Sequence, residues 1–412
     1  MKAKGYSIFI IITLSYYLLQ GIIHNFAHPI TPTYVNDLGL PGFMFGFFFA
    51  AMSLGMLIGA PIWGILGDRG SKKLFIVIGL LIYSAGQFLF VVFENPIVMT
   101  FARFISGFGV SAYLTLMLSH LISIVALDKR TKFISFSVAM FALGTTIGYQ
   151  IGGIMGDYFI REVFIVQAVF NAFLVLYIAL SMKETTRNVV TQRSFLQNFK
   201  DAAKLDRSLL LFLFALTLAT ISASTLSKYF DVYMIDLGYS PRQLGTFIMV
   251  TGFVGLFTNF VLVPRLSKLN IDLKIMQAIQ IFSAIIVFIV FRSQYFFIML
   301  YSVFLLYYVM KNAFQPFEQN YISLNAPKEK YGTIMGVRHS FFSTGMVLGP
   351  LISGFLYDYN PTLVFDVAAG MFILSFVLLT LSKRALKKEL PSKSENKGIM
   401  SNLQTLETPA SE

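Results

Sequence analysis

Lys311, Asn312, Gln315, Glu318 and Gln319 crowd into nine residues of an otherwise apolar stretch. At helical spacing Lys311, Gln315 and Glu318 share one face, because residues three and four apart lie above one another. A charge at the centre of a bilayer costs about 2.5–3.5 kcal/mol even on insertion scales, so that face is expected to point inward. Lys311 and Glu318 are seven residues apart, about 10 Å along the axis at 1.5 Å per residue. That is too far for a direct pair within one helix, so substrate or water is expected to bridge them. Glu318 is the clearest carboxylate within an apolar stretch and the favoured proton carrier, with an ion pair to a neighbouring helix as the alternative. Arg103 is expected to face a central cavity, with snorkelling toward the near helix end as the alternative. Gln20, His24, Asn25 and His28 precede Pro29 and Pro32. His24 and Asn25 are placed at the cavity mouth, where His24 can change charge between pH 5 and 8; interfacial hydrogen bonding is the plainer reading. His24 and His28 share a helical face, but no nearby carboxylate completes a ligand set, so no metal site is expected.

These residues need helices to position them, and the composition says where those helices run. Of 412 residues 56% are hydrophobic and 13% charged, with a mean hydropathy of +0.71, well outside the range of water-soluble domains. Apolar runs of about twenty residues, the length of a bilayer crossing, fall near 6–26, 42–66, 74–94, 97–121, 133–156 and 163–182, then 208–229, 242–264, 275–292, 295–322, 334–356 and 362–382. The chain reads as an all-α membrane protein with twelve spans. A net charge of +12 in a soluble protein would suggest nucleic acid. Here 26 of the 32 Lys and Arg residues lie in alternate loops and the two termini, against Arg161, Arg242 and Arg292 on the other side. That asymmetry predicts both termini in the cytoplasm and no nucleic-acid partner. Met1 to Lys4 resembles a signal-peptide start, but the run from Tyr6 to Phe26 is too long and is read as a retained first span. Cysteine is absent, which excludes disulfides and thiol chemistry.

The polar interval 183–207 divides the chain into an N-terminal bundle, 1–182, and a C-terminal bundle, 208–382, with a polar, disordered tail at 383–412. The bundles read as copies. Tyr34-x-x-Asp37-Leu38-Gly39 with Gly46 returns 199 residues later as Tyr233-x-x-Asp236-Leu237-Gly238 with Gly245. Gly144-x-x-x-Gly148, Gly153 and Asp157-Tyr158 return at a shift of 201 as Gly345-x-x-x-Gly349, Gly354 and Asp358-Tyr359. Internal repeats of this kind belong to secondary transporters, whose site lies at the repeat interface.

Between the second and third spans stands Gly64-Ile-Leu-Gly67-Asp68-Arg69-Gly70-Ser71-Lys72-Lys73. It resembles the loop signature of the major facilitator superfamily, with Ser71 in place of the usual second glycine. Asp68 is read as a gating residue that meets a helix N-terminus or a basic partner across the seam. Gly64, Gly67, Arg69, Lys72 and Lys73 support it, and plain positive-inside anchoring is the alternative for the basic ones. Pro264-Arg265-Leu266-Ser267-Lys268 lacks the Gly and Asp in the second half, so the latch is one-sided. Arg103-x-x-x-Gly107-x-Gly109 resembles an element of proton-coupled members. Gly144-x-x-x-Gly148-Tyr149-x-x-Gly152-Gly153 resembles the exporters' element, with Tyr149 replacing a proline. Gly349-Pro350 keeps that proline in the second half, with Ser353 in place of a closing glycine. Gly148, Gly349 and Pro350 are read as gating positions, with tight helix packing equally able to account for the glycines. Ala51, Gly55 and Gly59 suggest a sliding face.

The resemblance implies a monomeric, multi-pass plasma-membrane carrier that exchanges protons for a small amphiphilic compound and expels it by alternating access. Proton-coupled uptake of a sugar, peptide or organic acid is the rival; a lipid flippase or a membrane sensor is further off. No phosphate-cradling loop is present, so neither ATP hydrolysis nor a cofactor nor enzymatic activity is expected. His24, Asn25, Arg103, Lys311, Gln315 and Glu318 are the expected substrate site, with Arg103 and Glu318 as proton-coupling residues. With Arg103 and Lys311 set against Glu318, a neutral, zwitterionic or anionic substrate is expected over a strongly cationic dye. The 44 Phe and 18 Met residues suit an adaptable apolar pocket.

Overall fold

The computed structural model describes residues 2–126, 129–184, 200, 205–269, 271–325 and 331–406. Most of the central interval 183–207 therefore lies outside the described residues. Among the described residues twelve helices are long and apolar enough to cross a membrane. The N-terminal bundle holds α1 (Lys2–Asn25), α2 (Phe43–Arg69), α3 (Lys72–Val92), α4 (Pro96–Ile124), α5 (Arg130–Gly156) and α6 (Ile160–Ser181). The C-terminal bundle holds α7 (Arg207–Asp236), α8 (Pro241–Ser267), α9 (Asp272–Val290), α10 (Phe296–Ile322), α11 (Tyr331–Tyr359) and α12 (Pro361–Leu406).

One boundary moves from the sequence reading, and one residue counted among the loop charges falls inside a span. The helix expected to stop near residue 229 runs on to Asp236, which brings Asp231 inside the span. Arg338, grouped by its neighbours with a basic loop, lies inside α11. In place of an unstructured tail, α12 continues to Leu406; the Ala, Leu, Lys and Glu residues that follow Ser382 are strong helix formers.

The duplication is visible in backbone geometry. Gly39 and Gly238 are the two glycines with positive φ, 64° and 84°. Each ends its helix in the same way: Gly39 N donates to Asn36 O and Leu40 N to Val35 O, as Gly238 N does to Ile235 O and Tyr239 N to Met234 O. Only glycine takes that left-handed cap without strain. A short helix, Thr31–Asp37, follows α1 in the first copy, where Pro29 and Pro32 break the continuous helix that α7 keeps.

The halves meet at the end distal to the termini. One apolar core there joins Phe45, Phe48 and Phe49 of α2 to Tyr229 and Val232 of α7 and Tyr357 of α11. At the proximal end, among the described residues, the cores are separate: one joins Tyr16, Trp63, Tyr113 and Leu174 within the first half, another Phe212, Met276, Phe317 and Leu379 within the second. Close helix contact makes the distal seam. A Cβ on Gly46 of α2 would strike the Pro350 carbonyl of α11, and one on Gly245 of α8 would strike the Tyr149 carbonyl of α5. The two contacts are copies of each other under the repeat.

Candidate functional site: a buried acid at the seam between two bundles

The repeat puts an aspartate at the distal end of α5 and another at the distal end of α11. Asp157 Oδ1 accepts from Arg242 N at 3.2 Å, at the start of α8, and Asp358 Oδ1 accepts from Phe43 N at 3.1 Å, at the start of α2. Each thus caps the unsatisfied amides of a helix in the opposite bundle. Asn36 Nδ2 donates to Asp236 Oδ1 at 3.0 Å and Tyr229 OH to Gly42 O at 3.3 Å, also across the seam. At the distal end Asp157 and Asp358, made equivalent by the duplication, hold the two bundles together.

At the proximal end the signature loop contacts its own bundle. Ser71 caps α3, accepting from Leu74 N at 2.9 Å, and its hydroxyl donates to the Glu184 carboxylate. The hydroxyl that replaces the expected glycine is a helix cap. Asp68 acts on the buried Lys72 of the same bundle. Gly64 is buried and Gly67 lies against Leu116, while Arg69 ends α2 and Lys73 donates its amide to Glu184. Gly148 packs on Ile22 of α1, and Gly349 on Ser224 and Ile221 of α7. Both are contacts inside a bundle, as are those of Gly55 and Gly59 with α4. Of Gly148, Gly349 and Pro350, expected from the sequence to gate, Pro350 is the one that touches the opposite half, at Gly46.

The expected substrate residues fall into two groups. Arg103 is 4% exposed and sits within the N-terminal bundle. Nη1 donates to Gln87 Oε1 at 2.9 Å, Nη2 lies 3.5 Å from Thr31 Oγ1, and the guanidinium lies 3.8 Å above the centroid of Phe90. Gln87 Nε2 continues to Tyr83 OH and to Gln167 Oε1, and Gln167 Nε2 to Ile23 O. Arg103 therefore anchors an internal network instead of facing the cavity with Lys311 and Glu318. Its charge is spread over amide oxygen and aromatic faces. Asn25 Nδ2 bonds Gly21 O and Thr145 Oγ1 at 2.8 and 3.0 Å, tying α1 to α5 instead of lining a cavity mouth. His24 lies against Tyr83 and His28, with centroids 5.6 Å away in each case.

Lys311, Gln315 and Glu318 do line one cavity, of about 250 Å³, in the C-terminal bundle. Its walls come from α7, α9, α10, α11 and α12, and include Lys228, Gln280, Ser283, Arg338 and Phe342. Glu318 is not bridged to Lys311. Its carboxylate takes Arg338 Nε at 2.8 Å and Nη2 at 2.6 Å. The pair is buried, with side chains 0% and 8% exposed, and its fork geometry fixes α10 against α11.

The carboxylate that sequence reasoning missed is Asp231. It is fully buried, and among the described residues neither oxygen has a hydrogen bond of ordinary geometry, the Tyr149 hydroxyl acting on it as a looser donor. Lys228, Lys311 and the Tyr149 hydroxyl are the groups that act on it. Lys228 Nζ lies 4.0 Å above the Phe49 ring of α2, and Lys311 Nζ 5.2 Å from the Tyr308 centroid. Phe49 stacks on His28 at 5.4 Å and 20°, and His28 on Tyr149 at 5.6 Å and 7°. Asp231 and Lys228 of the second bundle thus face aromatic residues of the first, Tyr149 and Phe49, while Lys311 lies against Tyr308 of its own bundle. The signal in the sequence was Lys228 and Asp231, three residues apart in an apolar run.

Two pseudo-symmetric six-helix bundles, closed at one end and parted into separate cores at the other, with buried charge at the seam, have the architecture of a membrane transporter. The model of the Major Facilitator Superfamily matches residues 9–304 and 270–410, and the chain belongs to that family. It is 26% identical over 391 residues to Multidrug resistance protein 1 of Bacillus subtilis (strain 168), covering 93% of this chain and 98% of that protein. It is 25% identical over 359 residues to Quinolone resistance protein NorA of Staphylococcus aureus (strain COL), covering 86% and 92%. In fold it resembles the nucleoside transporter NupG, with a TM-score of 0.72 at 16% identity over 92% of this chain and 99% of that one. It also resembles a bacterial homolog of the human lysosomal transporter Spinster in an inward-facing, unoccupied conformation, with a TM-score of 0.70 at 12% identity over 92% and 96%.

Proposed function

We propose that this transporter exchanges protons for a small amphiphilic organic compound and expels it across the plasma membrane, with both termini in the cytoplasm. The observation that carries the reading is Asp231, a buried carboxylate at the seam acted on by Lys228, Lys311 and the Tyr149 hydroxyl. A carboxylate held by ammonium groups in one state and neutralised by a proton in another is how an ion gradient is linked to a conformational change. Glu318, locked by two short bonds to Arg338, suits that role less well than Asp231. Lys311, Gln315, Glu318 and Arg338 serve on the wall of the binding cavity. Positive groups outnumber negative ones there, which favours a neutral, zwitterionic or anionic substrate. Efflux is further supported by the drug-resistance relatives.

With the termini inside, a sealed distal end is the inward-open form, in which the proximal side admits substrate. Asp68 then awaits its cross-seam partner in the opposite form. One charge moved through the membrane potential is worth about 2.3 kcal/mol per 100 mV, enough to drive accumulation on the far side. Inverted vesicles given a pH gradient test the direction. Uptake of compound into the vesicles supports efflux, and depletion from them establishes the import reading instead.

A second reading has one observation in its favour. A cleft of about 600 Å³ opens between α2, α4 and α11, walled by Phe47, Leu54, Phe101, Phe104 and Leu351 with Thr100 as its polar member. Such a wall suits an acyl chain and so a lipid substrate. Transbilayer movement of a fluorescent phospholipid in proteoliposomes separates that reading from efflux.

A further inference from the structure

The groups around Asp231 make a recognisable kind of receptor. Phe49, His28 and Tyr149 form a stack that turns the Phe49 ring to the C-terminal bundle, and the buried Asp231 carboxylate, acted on by the Tyr149 hydroxyl, has no close hydrogen bond among the described residues. Aromatic faces combined with an acid recognise organic cations when water is excluded. In this chain the place is taken. The Lys228 ammonium lies over Phe49, one helical turn before Asp231, on a helix that also walls the cavity. Lysine reaches this position from the C-terminal bundle, whereas the ring belongs to the N-terminal one, so the ammonium fills the interface where a substrate group would sit. The other positive charges in reach are Lys311, which faces Asp231 from α10, and Arg103, which acts on Lys228 from α4.

We infer that Lys228 is the residue that determines charge specificity: it is a tethered stand-in for the cationic group of a ligand, and it shuts a monocation subsite built from Asp231, Phe49, His28 and Tyr149. This deepens the proposed function and rests on it for the location of the site. The wild-type chain rejects permanently charged lipophilic cations because they must displace an ammonium that cannot leave. Zwitterionic and neutral compounds remain, held by the cavity. Removing the amine while keeping the stem turns the same seam into a cation receptor.

The test is equilibrium binding of radiolabelled tetraphenylphosphonium to the purified full chain in detergent, with neutral triphenylphosphine oxide as the matched control. No gradient is applied, so failure to find a transported compound leaves this result standing and the two failures are distinguishable. Lys228→Met is expected to bind the cation about tenfold more tightly than wild type, the factor that about 1.4 kcal/mol represents, with no gain for the neutral control. Adding Asp231→Asn to Lys228→Met is expected to return affinity to the wild-type value. Lys311→Met, which leaves the ammonium on Phe49, is expected to give a smaller gain. An unchanged affinity in a folded Lys228→Met protein overturns the inference. So does an equal gain for the neutral compound, which marks a change of conformation rather than of charge. Insensitivity to Asp231→Asn, or a larger gain from Lys311→Met, overturns it as well. Folding is checked by size-exclusion profile and melting temperature, and Lys228→Gln repeats the measurement if the methionine variant does not fold.

Discussion

Arg338→Gln offers the sharpest test of how the C-terminal bundle is held together. Glu318 and Arg338 share two bonds of 2.8 and 2.6 Å with side chains 0% and 8% exposed, so solvent screens the pair little. Removing the guanidinium leaves a buried carboxylate with a partner that cannot carry the compensating charge. Breaking a buried pair from one side costs about 3–5 kcal/mol, whereas replacing both members with neutral groups of similar size is near neutral. The cavity beside the pair admits some water, which places the expected loss at the lower end, about 3 kcal/mol. Glu318→Gln should cost a comparable amount, since it leaves the arginine uncompensated. The double variant Glu318→Gln, Arg338→Gln should recover most of it and lie within about 1 kcal/mol of wild type, giving a coupling energy of about 5 kcal/mol. The assay is a double-mutant cycle on unfolding in mixed micelles. Additive single effects, with coupling below about 0.5 kcal/mol, would refute the claim that this pair fixes α10 to α11.

Further outcomes follow from the seam. Asp157→Ala and Asp358→Ala each remove a helix cap across the distal gate, worth about 0.5–1 kcal/mol at these exposed positions; together they should shift the conformational equilibrium about five- to thirtyfold toward distal opening, read as a longer distance between spin labels placed across that end. Gly46→Val drives a side chain into the Pro350 carbonyl and should open the distal end outright. The native chain has no cysteine, so thiol labelling of single cysteines introduced at the seam reports this directly, and unchanged labelling would count against the closure described. Arg103→Lys loses the guanidinium bond to Gln87 and the stacking on Phe90; it should cost about 1–2 kcal/mol in unfolding without changing the charge selectivity of binding.

The apolar runs made all twelve crossings legible, because hydrocarbon thickness constrains their length. The repeat was equally readable, since Gly39 and Gly238 answer to the same cap geometry and Asp157 and Asp358 to the same unsatisfied amides. What escaped were charges near span ends. Arg338 stands eight residues after Lys330, so charge density grouped it with a loop, and Glu318 was left without its partner. Asp231 was lost because Lys228 looked like the close of a span. Helix ends are set by caps such as Gly238, not by the first charge encountered. Arg103 was placed in the cavity by the cost of burying a charge, yet Gln87 and Phe90 meet that cost within one bundle. Pairwise partners across helices have no periodicity and leave no mark along the chain.

The central claim is that Asp231 links proton movement to substrate movement. Proteoliposomes carrying Asp231→Asn should still exchange labelled for unlabelled substrate at equal concentration on both sides, since that exchange needs no net proton movement. They should no longer accumulate substrate under a pH gradient. Gradient-driven accumulation at the wild-type level in that variant would contradict the account.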